Sequence, residues 1–247
     1  MKFDTIIIGG GLSGLISGIY LSQRGQRCVI ISSGQSALHF SSGSFDLLNN
    51  LPDGTSVQKP LDAISKLIQQ APSHPYAKLG ENKFKILTQQ TKEFLKNAGI
   101  ATQGDYEKNH YRVTPMGTLK STWLTLENLL ISENEKCLPI RHPGIFNVTG
   151  FLDFYTQFIT DEFLKLGTKC SIHSVNFPAL ENLRKNPTEM RSVNIARIFD
   201  KQENIQELVQ ILKTESEDCD SIILPAITGL NREDVVGYLR KEIDKPI

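Results

Sequence analysis

The chain has 247 residues, in which 27 lysines and arginines are balanced by 27 aspartates and glutamates. This balance excludes a nucleic-acid partner held by bulk charge, and the length allows one large domain or two modest ones. The four cysteines are widely separated and form no Cys-x-x-Cys pair, which argues against an iron–sulfur cluster or a zinc site and predicts no metal on this chain. Because no export signal is evident, we expect a reducing, cytoplasmic compartment.

Residues 5–33 predict a strand, a glycine turn, a helix and a second strand, in that order. Gly9, Gly11 and Gly14 complete the pattern Gly-x-Gly-x-x-Gly directly after a β-branched run, and Cys28–Ile31 fits a buried parallel strand. In this pattern the first glycine permits a tight turn, the second lets the backbone approach a phosphate, and the third lets the helix lie against its strand. The segment therefore predicts a dinucleotide-type βαβ start rather than a chance cluster of glycines.

The end of the second predicted strand bears on the identity of the ligand. In this fold an acidic residue about 20 positions after the glycines usually holds the ribose of an adenosine. That position falls on Ser32, which Ser33 and Gly34 follow, so no carboxylate is present. Either an adenosine is held in another way, or the ligand has a single phosphate and no adenosine, as flavin mononucleotide (FMN) has.

Residues 34–44 form a segment that is dense in hydroxyl groups and glycine. The segment is typical either of a surface loop or of a loop whose amides and serine hydroxyls line a cofactor, and both interpretations stay open. His39 is its only ionisable side chain and a weak candidate for a proton carrier. The predicted cofactor-binding residues are Gly9, Gly10, Gly11, Leu12, Ser13, Gly14, Ser32, Ser33, Gly34, Ser41, Ser42, Gly43 and Ser44.

Beyond residue 50, apolar spacing and turn residues predict further helices and strands. The predicted helices cover residues 61–71, 81–99, 151–166 and 192–197. A further helix is expected after a capping box at Asp200–Glu203, and a last helix contains Val235. The predicted strands cover residues 110–114, 119–124, 168–177 and 221–226. Residues 182–191 are polar and predict a loop.

The two predicted strands at 110–114 and 119–124 are joined by a turn at Pro115–Thr118. Arg112, Lys120 and Trp123 are candidates for holding an anionic substrate beside an aromatic wall. The alternative is that they are ordinary sheet-surface residues. Arg112 and His39 are the two weak candidates for a catalytic residue.

Four segments together resemble one family, the B subunit of anaerobic glycerol-3-phosphate dehydrogenase. They are the start from Phe3 to Leu12, the segment Gly34–Ser44, the segment Thr114–Trp123, and Val193–Arg197. The second and third are specific, because they are long and generic needs of the fold do not explain them. The resemblance runs along the whole chain.

The resemblance implies an FMN-dependent flavoprotein subunit, with FAD as the alternative cofactor. Glycerol 3-phosphate would be oxidised to dihydroxyacetone phosphate, and its electrons would pass to quinone in fumarate or nitrate respiration. The implied partners are an FAD-bearing A subunit and an iron–sulfur C subunit that docks at the inner face of the cytoplasmic membrane, so the chain would be cytoplasmic and peripheral. Two alternatives stay open: an NAD(P)-binding dehydrogenase, with Ser32 and Ser33 replacing the acid and Arg27 near a 2′-phosphate, or a non-catalytic relay or scaffold fragment of the complex.

The expected fold is α/β, a Rossmann-like FAD/NAD(P)-binding flavoprotein fold with an inserted α+β substrate or cap region. We expect the dinucleotide-type start over residues 1–50, the mixed insert over 51–180, and further α/β elements over 181–247. Family members continue well past Ile247, and the last six residues resemble the middle of the longer proteins. The resemblance therefore implies a C-terminally truncated chain that lacks part of the flavin pocket.

Overall fold

The computed structural model describes residues 1–34, 36, 38, 41–105, 107–186, 190–229 and 235–247. The chain divides into two compact units, Met1–Ser44 and Phe45–Ile247. The division of the chain into 1–50, 51–180 and 181–247 stays a prediction. Among the described residues, no helix combines the length and the apolar character that crossing a bilayer requires.

The first unit contains strand β1 (Thr5–Ile8), helix α1 (Leu12–Ser22) and strand β2 (Cys28–Ile31). The two strands pair in parallel register over all four residues. Gly25 has a φ of +81°, a left-handed conformation that lets the chain leave the helix and turn back to the second strand. The predicted strand, turn, helix and strand are therefore confirmed, and the parallel pairing belongs to a Rossmann-like fold.

The rest of the chain alternates short strands with helices. The strands are β3 (Ser44–Phe45), β4 (Thr102–Gln103), β5 (His110–Val113), β6 (Leu119–Thr122), β7 (Leu124–Leu126), β8 (Ile131–Ser132), β9 (Pro143–Val148), β10 (Ser171–Val175) and β11 (Ser221–Ile223). The helices are α2 (Pro60–Gln70), α3 (Pro75–Asn97), α4 (Thr156–Lys165), α5 (Glu181–Arg184), α6 (Ser192–Ile198), α7 (Gln202–Glu215) and α8 (Val235–Ile243).

Strand β9 is the centre of a parallel three-stranded sheet, with β10 on one side and β11 on the other. Its two faces are covered by different helices. Ile145 packs with Ile159 and Phe163 of α4, whereas Phe146 belongs to the cluster that includes Leu208 of α7. Alternate side chains of a strand point to opposite faces, so a central strand buried on both faces is largely apolar, as this one is.

Two smaller sheets precede the parallel sheet in the chain, with strand orders β6-β5-β8 and β3-β7-β4. In the first, β5 pairs antiparallel with both neighbours. The β5–β6 turn contains Gly117, which has a φ of +84°. A Cβ on Gly117 would lie 2.6 Å from the Cα atom of Ile159, so the turn is seated directly on the backbone of α4.

Several local expectations were wrong. The helix expected from residue 151 begins only at Thr156, and strand β9 was not predicted. The predicted capping box fails, because the N-cap of α7 is Lys201 in extended conformation and its side chain makes no capping hydrogen bond. The expected loop over 182–191 begins with helix α5, in which Arg184 forms an ion pair with Glu181 at 2.7 Å. Residues 187–189 of that expected loop lie outside the described residues.

Candidate functional site

At two positions of the predicted phosphate turn, the backbone and packing of the protein require glycine. Gly9 has a φ of +106°, which a residue with a side chain rarely adopts, and its N–H donates to the carbonyl of Ile31 at 2.8 Å. A Cβ on Gly14 would lie 2.1 Å from the carbonyl oxygen of Gly9. Gly9 therefore permits the turn, and Gly14 permits the close approach of α1 to it.

Gly11 has no such explanation. Its φ of −75° and ψ of 177° are open to any residue, and, apart from its chain neighbours, no heavy atom of the described residues lies within 4 Å of the place where a Cβ would stand. Neither backbone conformation nor packing requires glycine here. The approach of a ligand would explain the glycine, since the second glycine of this pattern lets the backbone come close to a phosphate group.

The N-terminus of helix α1 has features that favour binding of an anion. No side chain caps it, and its first turn contains no acidic residue. Within the described part of the chain, the amides of Leu12, Ser13 and Gly14 have no acceptor, and Leu15 is the first residue whose N–H is bonded, to Gly11 at 3.0 Å. Three unsatisfied N–H groups at the positive end of a helix dipole favour a phosphate.

Ser32 lies beside this turn, as the count from the glycines predicted. A Cβ on Gly10 would stand 3.0 Å from the Ser32 hydroxyl oxygen. Ser32 thus places a neutral hydroxyl where the fold often has a carboxylate, and Ser33 and Gly34 follow it. Gly34 has a φ of +79° and turns the chain away from the strand.

Arg27 does not support the nicotinamide alternative. It precedes the amino end of β2, and its guanidinium forms an ion pair with Asp4 at 3.3 Å. Hydrogen bonds from the Arg27 side chain and amide hold the pKa of Asp4 below its ordinary value. The arginine is therefore engaged at the end of the strand opposite to the glycine turn.

The loop after Gly34 is described only in part. Ser41 accepts from the Gly43 amide at 3.2 Å, and the hydroxyls of Ser42 and Ser44 lie 3.0 Å apart. These hydrogen bonds stay within the loop. His39 lies outside the described residues. The cofactor-lining role of this loop, and the weak assignment of His39 as a proton carrier, stay predictions.

Three side chains of the β5–β6 region have different surroundings. Trp123 is only 3% exposed and packs with Leu95 and Leu124 in the apolar core, so it is not an exposed aromatic wall. Lys120 forms an ion pair with Asp46 at 2.8 Å. Arg112 is buried. These residues belong to the second unit, whereas the glycine turn belongs to the first.

A polar cluster at the amino ends of the parallel strands was not predicted. The Ser171 hydroxyl lies 2.9 Å from Nε2 of His173 and 3.2 Å from Sγ of Cys219. Nδ1 of the same histidine lies 3.6 Å from the Glu215 carboxylate. These side chains line a cleft of about 320 Å³. The only local signal is the alternation of Ser171 and His173 on one face of β10, since the cysteine and the glutamate come from distant positions.

Cys170, next to this cluster, is expected to resist alkylation. Burial raises the pKa of its thiol to about 11, and the Asp220 carboxylate adds to the rise. The thiolate is the reactive form, so only about 0.1% of the thiol is reactive at pH 8. Iodoacetamide should therefore label the exposed Cys137 first, and the labelling rate of Cys170 should rise about tenfold per pH unit up to about pH 11. Peptide mass spectrometry of the native protein measures both rates, and equal labelling at pH 8 would contradict the expectation.

A parallel βαβ unit whose glycine turn presents free amides at a helix N-terminus defines a nucleotide-binding protein of the Rossmann-like class. The chain belongs to the FAD binding domain family, whose model matches residues 4–235. Membership of this family supports a flavin as the cofactor.

Three relatives, each named as the B subunit of anaerobic glycerol-3-phosphate dehydrogenase, show how far the likeness extends. The protein from Yersinia enterocolitica is 43% identical over all of this chain and 58% of its own length. The one from Pectobacterium carotovorum is 41% identical over all of this chain and 59% of its own length. That from Actinobacillus pleuropneumoniae is 37% identical over 98% of this chain and 57% of its own length. The chain thus spans somewhat over half the length of these curated relatives, and no solved structure matches it.

Proposed function

We propose that this chain acts as part of the B subunit of an anaerobic glycerol-3-phosphate dehydrogenase, a flavin-dependent oxidoreductase. The observation that carries the proposal is Gly11, a glycine that neither its backbone conformation nor its packing against the described residues requires, and that opens the helix N-terminus to a phosphate. The names of the three relatives, which match nearly the whole chain, support glycerol 3-phosphate as the substrate. Oxidation of its secondary alcohol would give dihydroxyacetone phosphate as the product.

FMN is the proposed cofactor. Its single phosphate suits the amides of Leu12, Ser13 and Gly14, and it has no adenosine ribose that would need a carboxylate after β2. The Ser32 hydroxyl beside the turn is the polar group available there. FAD is the alternative, with its adenosine held in another way.

A bound flavin supplies the acceptor for the hydride that leaves the carbon bearing the alcohol. The amides at the start of α1 fix the phosphate, so they set where the rest of the cofactor can reach. Loss of a hydride from an alcohol also needs a base for the hydroxyl proton. His39 and Arg112 remain weak candidates for that catalytic role, and the base itself is not assigned.

The relatives carry the name of one subunit of an enzyme, which supports a multi-subunit complex. We propose that its other members are an FAD-bearing A subunit and an iron–sulfur C subunit, and that electrons pass through them to quinone. The chain would then lie on the cytoplasmic side of the membrane as a peripheral part of the complex. A non-catalytic relay or scaffold role within the complex is the second candidate.

Mass spectrometry of the pigment released from gently purified protein tests the cofactor. FMN is the expected result, FAD would select the alternative, and NADP with no flavin would overturn both. Activity is tested separately, by combining the chain with the A and C subunits and following reduction of a quinone analogue by glycerol 3-phosphate. Flavin bound without any dependence of turnover on this chain would favour the relay or scaffold role.

A further inference from the structure

The central strand of the β6-β5-β8 sheet contains a buried arginine with an unsatisfied side chain. Arg112 is 7% exposed, and its Nε atom is sealed from solvent with no hydrogen bond. Among the residues that the structure describes, no carboxylate forms an ion pair with this guanidinium. Burying an unpaired charge is strongly unfavourable, so a group that neutralises Arg112 is missing from its described surroundings.

The neighbouring strands do not supply that group. Arg112 lies directly opposite Lys120 on β6 and opposite Ile131 on β8, so these three side chains share one face of the sheet. Directly opposed like charges are destabilising. The Asp46 carboxylate is held by Lys120 at 2.8 Å, so it compensates the charge of Lys120 and not that of Arg112.

Nearby acids are engaged elsewhere. Glu133 pairs with Lys108 at 2.9 Å, and Glu135 accepts from the Tyr111 hydroxyl at 3.2 Å. Tyr111 is adjacent to Arg112 on β5, so its side chain points to the opposite face of the sheet. Within the described part of the chain, the face that carries Arg112 and Lys120 thus retains one uncompensated positive charge.

We propose that Arg112 and Lys120 form a binding site for a phosphate monoester. Nε is the guanidinium nitrogen that is sealed without a partner, which leaves the two terminal nitrogens as the edge that meets a ligand. That edge matches two oxygens of a phosphate, and the half-exposed Lys120 ammonium adds a further donor beside it on the same face of the sheet. A phosphate monoester has three terminal oxygens at pH 7, so separate oxygens can accept from both terminal nitrogens of Arg112 and from Lys120, whereas a carboxylate has only two oxygens.

The site stands without the flavin, but the identity of its natural ligand rests on the proposed function. If the chain serves glycerol-3-phosphate oxidation, the phosphate group held here belongs to the substrate. The assignment therefore gives the Thr114–Trp123 segment a role in substrate specificity through Lys120. It makes Arg112 a binding residue rather than a base.

Binding is tested on the purified chain by calorimetric titration with inorganic phosphate, then with glycerol 3-phosphate, then with acetate. Saturable binding of the first two, and none of acetate at the same concentrations, is expected. Trp123 is the only tryptophan and follows β6 directly, so its fluorescence gives a second readout. No flavin or partner subunit takes part, so a failure here differs from a failure to recover flavin. Absence of saturable phosphate binding, or equal binding of acetate, overturns the proposal.

Two variants and one control locate the site. Lys120→Gln changes a side chain that is half exposed, so the fold is kept, and phosphate affinity should fall about tenfold. Lys108→Gln is the matched control, since that lysine is equally exposed and equally paired, and it should leave the affinity unchanged. Equal effects of the two substitutions would refute the assignment.

Arg112→Met separates binding from a structural role. If Arg112 serves to bind a ligand, removing its unpaired charge should leave the melting temperature in phosphate-free buffer unchanged or higher. Phosphate should then raise the melting temperature of the natural chain and not that of the variant. A variant that is strongly destabilised without phosphate, yet still stabilised by it, would show that Arg112 serves the fold.

Discussion

Gly11→Val is expected to abolish flavin retention while the chain without flavin stays as stable as before. A valine side chain fits the φ of −75° and ψ of 177°, and, its chain neighbours apart, no heavy atom of the described residues lies within 4 Å of its Cβ. Gly11 is the N-cap of α1, and a side chain at that position lies beside the second and third amides of the helix. Hydrogen bonds from amides to a charged phosphate contribute about 1.5–3 kcal/mol each, so even one lost bond lowers affinity at least about tenfold. Flavin absorbance per protein and urea unfolding of the flavin-free chain measure the two effects.

Gly14→Ala is the comparator for this prediction. Its Cβ would lie 2.1 Å from the Gly9 carbonyl oxygen, so α1 must move away from the turn. This variant should lose both flavin and stability in the first unit, whereas Gly11→Val should lose flavin alone. Normal flavin absorbance in purified Gly11→Val protein would refute the phosphate role of the turn.

The glycine turn could be predicted from the sequence because its requirements are local. Strand, turn, helix and second strand arrive within 27 residues, from Thr5 to Ile31, and each has its own signal in residue type or spacing. The position of Ser32 could be predicted by counting residues from the glycines, because a parallel βαβ unit fixes where its second strand ends. The structure adds that the protein itself requires glycine at positions 9 and 14, whereas no contact with the described residues requires it at position 11, where a bound phosphate would.

Strand β9 was not predicted, and its first two residues argue locally against a strand. It begins with Pro143 and Gly144, two residues that are depleted in central strands. The glycine is explained only by tertiary packing: a Cβ there would lie 2.6 Å from the Phe146 ring and 2.8 Å from Sγ of Cys219. That cysteine is 75 positions further along the chain, beyond the reach of any local pattern.

The sequence predicted the strands of the candidate anion site but not the ion pairs of its side chains. Alternation predicted the strands that carry Arg112 and Lys120, and the turn between them was predicted as well. Whether a carboxylate from elsewhere neutralises each cation depends on non-local packing. Asp46, which pairs with Lys120, comes from another part of the chain, and no local pattern shows whether Arg112 has such a partner.

The Thr114–Trp123 segment was singled out because generic needs of a fold do not explain it. Its turn is closed by the Thr114 amide, which donates to the Thr118 carbonyl at 2.8 Å, and by a 2.7 Å contact of the two hydroxyls. Gly117 within this turn meets the backbone of Ile159 on α4. The segment therefore fixes the antiparallel hairpin onto a helix that also covers the parallel sheet.

Gly117→Ala is expected to lower the free energy of unfolding by about 2–4 kcal/mol, because it adds overpacking against α4 to the strain of a φ of +84°. Gly54→Ala is the matched control. Gly54 has a φ of +87°, and apart from its chain neighbours no heavy atom in the described part of the chain lies within 4 Å of where its Cβ would stand, so alanine there adds only the backbone strain, about 1–2 kcal/mol. Urea unfolding followed by Trp123 fluorescence measures both variants. Equal destabilisation by the two substitutions would mean that the hairpin is not seated on the helix.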